Sequence, residues 1–158
     1  MSMRSSFVYG YGFEIYKTSD EELIEFIKNH KDTFCKSDEE KELYNIILNY
    51  REEDYNYGLE EFFEDEMYAC DYSGQEGFGA PISNIISRET NIRFQYEMGC
   101  SDCCSNPSVL FSESYPWNCN ETEKNLTVES LTEILLPYVE ELGLSKEDIG
   151  YQEVEYYG

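Results

Sequence analysis

The chain has 158 residues, 34 of them acidic and 11 basic, a net charge of −23. Its 15 Tyr, 9 Phe and single Trp bury enough apolar area to offset the cost of ordering so charged a chain, which excludes a disordered acidic tail. No run approaches the roughly 18 apolar residues of a membrane span, and a polyanion of this size repels nucleic acid, so neither membrane insertion nor direct nucleic-acid binding is expected.

The N-terminal stretch MSMRSSFVYGYGFEIY has no apolar h-region, so a secretory leader is not expected and a cytoplasmic chain is. Within it, residues 7–16 alternate as a strand. Phe7, Tyr9, Tyr11, Phe13 and Ile15 share one face, while Gly10 and Gly12 on the other permit a close backbone approach. Two helix starts follow. Ser19 with Glu22 and Ser37 with Glu40 both read as capping boxes, serine at the cap and glutamate three residues on. Leu23, Ile24 and Ile27 continue the first helix; Leu43, Tyr44, Ile47 and Leu48 continue the second, to about Tyr50. A third helical stretch over 58–68 sets Leu59, Phe62, Phe63 and Met67 opposite a carboxylate side.

Residues 71–81, with three Gly and a Pro, read as a loop. Residues 91–99 and 108–115 read as antiparallel partners, with the cysteine-rich CSDCCSNP turn between them. Val128, Leu131, Leu135, Val139 and Leu142 mark an amphipathic helix over 128–142, capped by Thr127 and stopped at Gly143, with Pro137 inside it. Residues 151–157 read as a terminal strand, beside either the first strand or the hairpin. The expected fold is one α+β domain spanning 1–158: a mostly antiparallel sheet of about four strands, N-terminal helices and one late amphipathic helix.

Six cysteines in a reducing compartment favour thiols or metal ligands over disulfides. Cys100 and Cys103 form a C-x₂-C knuckle, whose two thiolates point at one ion from a tight turn. Cys119, one strand further on, and Cys70, before the glycine loop, complete a tetrahedral structural zinc set. Cys104 is the substitute ligand, and His30 and Asp102 are weaker ones. A catalytic metal needs an open position and usually histidine, and the chain has one His. His30, late on a helix beside Asn29 and Lys31, reads as a surface residue. No P-loop is present, and GQEGFG at 74–79 does not join a strand to a helix.

Charge carries the functional reading. From Glu52 to Glu76 there are ten acidic residues and no Lys or Arg. Glu60, Glu61, Glu64 and Asp65 project from one helix side, with i, i+4 neighbours about 5–6 Å apart at Cβ. Together with Glu52 and Asp54 they are the expected surface for a basic, nucleic-acid-handling partner.

Size, the acidic 52–76 stretch, and an α+β chain with cysteines at 70, 100, 103 and 119 together resemble the small acidic anti-CRISPR proteins of phages and mobile elements. That resemblance implies a stoichiometric, non-enzymatic binder of a Cas9 surface that blocks DNA loading in the bacterial cytoplasm. An immunity protein plugging a toxin nuclease would have the same electrostatics, and a small zinc-dependent enzyme is the third reading.

Overall fold

A computed structural model describes residues 5–56, 58, 61–62, 79–97, 107–112 and 116–157. The order is β1 (Ser5–Glu14), α1 (Asp20–Asn29), α2 (Lys31–Phe34), α3 (Asp38–Ile47), a 3-10 turn (Glu52–Asp54) and α4 (Ala80–Thr90). Then come β2 (Gln95–Glu97), β3 (Ser108–Phe111), a 3-10 turn (Pro116–Asn118), α5 (Glu121–Lys124), α6 (Val128–Glu141), a 3-10 turn (Lys146–Asp148) and β4 (Ile149–Tyr157). The fold is α+β, as expected. Its four strands form one antiparallel sheet in the order β2-β3-β1-β4.

The caps form where the sequence places them. Ser19, Ser37 and Thr127 each accept from the backbone N–H three residues on, and each box closes reciprocally. Each cap satisfies helix N–H groups that would otherwise lack a partner. Helix α6 ends where Gly143 takes φ +77°, beside the Glu22 carboxylate. Pro137 stands inside α6 on its exposed side, so the N–H it lacks is missing from the solvent face.

Three expectations need correction. Helix α3 stops at Ile47, short of Tyr50. Ala80 and Pro81 belong to a helix and not to the 71–81 loop, whose residues 71–78 lie outside those described. Helix α4 itself was not expected. Ile82, Ile85 and Ile86 show its buried stripe, Pro81 suits its first turn, and Asn91 at φ 59° ends it in a left-handed turn. The 58–68 helix is described only at Gly58, Glu61 and Phe62, which are helical.

The described core cluster sits between the sheet and the helices. Phe13 and Ile15 of β1 and its extension meet Leu23, Phe26 and Ile27 of α1, Ile82, Ile85 and Ile86 of α4, and Leu135 and Val139 of α6. Strand β4 pairs with β1 over nine rows, from Ser5↔Tyr157 to Phe13↔Ile149, which settles its neighbour. On the other face Gly12 lies so close to Val109 that a Cβ there would stand 2.0 Å from the Val109 carbonyl. Among the described residues no helix is long and apolar enough to cross a membrane.

Candidate protein-binding surface

The β1–β4 register puts Phe7, Tyr9, Tyr11 and Phe13 on one face with Glu155, Glu153, Tyr151 and Ile149 opposite them. Phe13 and Ile149 are buried under the helical layer. At Tyr11 the phenol reaches α6 and shares a 2.8 Å hydrogen bond with Thr132 Oγ1. From that row toward Phe7 the face is open to solvent. Tyr9 is 61% exposed, Phe7 42% and Tyr151 77%. The Phe7 and Tyr9 rings stack with centroids 6.0 Å apart, and Tyr151 meets Tyr11 edge-on at 5.1 Å. Large rings held by neighbours yet open to solvent are the residue types that anchor protein interfaces.

This ribbon lies in an acidic neighbourhood. Helix α6 packs on β1 and β4 and presents Glu129, Glu133 and Glu140 to solvent. Their i, i+4, i+11 spacing aligns them in one stripe. Residues 128–157 contain eight carboxylates and one basic residue, Lys146. Two arginines elsewhere are paired with buried carboxylates. Arg88 Nη1 lies 2.7 Å from Oε2 of the buried Glu40 and donates to the Thr33 and Phe34 carbonyls. Arg93 binds the buried Glu123 through Nε and Nη2 at 2.9–3.1 Å. Burial raises the Glu123 carboxyl, but Arg93 and the backbone N–H groups of Asn120 and Arg93 more than reverse this, to about 2.

Of the acidic residues singled out in the sequence, Asp54 is exposed on the Glu52–Asp54 turn and Glu61 is half-buried. Glu60, Glu64 and Asp65 lie outside the described residues. Phe62 is buried against Tyr50 and Tyr55, with ring centroids at 5.1 and 5.4 Å, so Tyr55 serves the core here. Of the zinc ligands only Cys119 is described, half-buried between the Pro116–Asn118 turn and α5. Cys70, Cys100, Cys103 and Cys104 lie outside the described residues. Within those residues no group of three or more His, Cys, Asp or Glu is placed to hold a metal. Sequence reading missed Tyr151, Glu153 and the α6 stripe as a surface. The signal was the alternation of Tyr151, Glu153 and Glu155 opposite an already aromatic strand.

His30 is not a surface residue. Its side chain is 17% exposed and stacks on Phe26 at 4.4 Å. Nδ1 lies 2.8 Å from Glu89 Oε2 on α4, and Nε2 2.8 Å from Glu141 Oε2 on α6. Thr33 and Tyr138 donate to Glu89, and Asn29 to Glu141. Burial lowers the imidazole pKa, but the two carboxylates outweigh it and leave the value raised. With both nitrogens engaged by carboxylates, the ring is placed to tie three helices together. No protein-family model, curated protein or solved structure matches this chain.

Proposed function

We propose that the chain is a non-enzymatic inhibitor. It binds a basic, nucleic-acid-handling protein of the Cas9 type in the bacterial cytoplasm and occupies the surface that nucleic acid would use. The observation that carries this reading is the exposed carboxylate stripe of Glu129, Glu133 and Glu140 on α6, with Glu153 of β4 also exposed and Lys146 the one basic residue from 128 to 157. A row of negative charge along one side of a helix offers an arginine- or lysine-lined groove the charge that a phosphate strand offers it. Glu52, Asp54, Glu60, Glu61, Glu64 and Asp65 remain partner-binding candidates on their charge.

The test is DNA binding by a guide-loaded Cas9 in the presence of a stoichiometric amount of this chain, followed by gel shift. Displacement of the DNA that weakens as salt rises is expected. Reversal of Glu129, Glu133 and Glu140 to Lys in a chain that keeps its circular-dichroism spectrum should remove it. Unchanged DNA binding at every salt concentration would sink the proposal for that partner.

A further inference from the structure

We infer that the open end of the β1–β4 ribbon docks an extended segment of a basic protein, with arginine or lysine at alternate positions. This rests on the reading of the partner as basic and names what that partner presents. Two cross-strand rows make the site, Tyr11 with Tyr151 and Tyr9 with Glu153, and the exposed Phe7 ring lies beyond them. The first row is aromatic on both strands. The second sets a ring beside a carboxylate. A cation over such a ring gains attraction from its π face and from the neighbouring carboxylate at once.

Successive rows lie two residues apart along each strand, about 6.6 Å. An extended chain repeats its side chains on one face at that same interval, so alternate cations meet successive rows. Charge complementarity selects the occupant. A second copy would set Glu153 against the same carboxylate on a chain of net charge −23, and an anionic lipid surface would be repelled likewise. The rings are exposed because the helical layer ends at the Tyr11–Thr132 bond, so docking needs no opening of the core.

The probe is a fluorescent peptide of alternating arginine and threonine, compared by anisotropy with a peptide of the same composition whose arginines are contiguous. The alternating peptide should bind more tightly. Tyr9→Ser combined with Tyr151→Ser leaves every charge in place and should weaken that binding about tenfold, the equivalent of about 1.4 kcal/mol. Glu153→Gln should weaken it as well. Equal binding of the two peptides, or unchanged binding by the folded double variant, would overturn the inference, as would a concentration-dependent dimer abolished by the same double variant. Failure of the chain to displace DNA from Cas9 while the peptide result holds would count against the proposed function alone.

Discussion

Tyr11 and Thr132 share a hydrogen bond 2.8 Å long across 121 residues, and it marks the line where the helical layer stops covering the sheet. On one side of it the β1 face is core, and on the other it is an aromatic surface. Thr132→Val keeps the shape and removes the bond, so it should cost about 1 kcal/mol and lower Tm by about 2–4 °C. Phe7→Ser and Tyr9→Ser, beyond the line, should stay within about 0.5 kcal/mol of the parent. Thermal unfolding of the three variants checks the boundary.

The His30 cluster should make stability fall as pH rises. The folded imidazole has a raised pKa, so its contribution is complete below the unfolded value of about 6.5 and is lost as pH climbs through the folded value. Above it one ring nitrogen becomes an acceptor facing a carboxylate oxygen. Glu89 acts at the other end. Burial raises its pKa, but bonds from Thr33, His30 and Tyr138 leave it lowered, so its contribution is present above the ordinary carboxylate range and disappears as pH falls through its folded value. Urea unfolding across this range should show the alkaline loss in the parent and its absence in His30→Gln. An equal loss in both would refute the assignment.

Arg88 bonds a buried carboxylate and two carbonyls near the end of α2 at the same time. Arg88→Ala strands Glu40 without its cation and should cost about 3 kcal/mol. Lysine keeps the charge but lacks the planar fork, so Arg88→Lys should recover only part of the loss. Chemical denaturation of the two variants orders them. A lysine variant as stable as the parent would show that charge alone matters.

Gly12→Ala should be the most damaging small substitution in β1. Its Cβ would stand 2.0 Å from the Val109 carbonyl and 2.8 Å from Leu110 Cα, both backbone atoms fixed by the ladder. The expected cost is about 4 kcal/mol or more. At Gly10 the nearest atoms are Leu110 Cδ1 at 2.5 Å and the Phe111 carbonyl oxygen at 2.8 Å, a looser fit than at Gly12, so Gly10→Ala should cost less. Soluble yield and Tm of the pair test this order.

For the cysteines, the spacing of Cys70, Cys100, Cys103 and Cys119 leads to an expectation of one structural zinc per chain. Metal content with a thiol titration of the purified protein checks it. Cys100→Ser should then lower Tm, because metal-binding free energy is folding free energy. Six free thiols and no metal would rule the site out.

Much of the helical layer was legible because its signals are local. A cap and a hydrophobic stripe lie within a few residues of each other, as at Ser19–Glu22 and Thr127–Ser130. Helix α4 escaped because its opening Ala80-Pro81 follows a glycine-rich run that reads as loop, although Ile82, Ile85 and Ile86 carry the helical spacing. The candidate surface was less legible. Alternation in β1 assigns Phe7 and Phe13 to the same face, but periodicity reports the face of a strand and not what covers it.

By itself the sequence determined an acidic α+β chain, its capped helices and the alternation of its aromatic strand, because these follow from composition and from contacts within a turn or two. The tertiary structure alone decided that β4 lies beside β1, that α6 covers the ribbon only as far as Tyr11, and that His30 meets Glu89 and Glu141, 59 and 111 residues away. Each of these depends on chain closure over long loops. A residue's type fixes what it can bond, but only the packed fold fixes which distant group arrives to bond it.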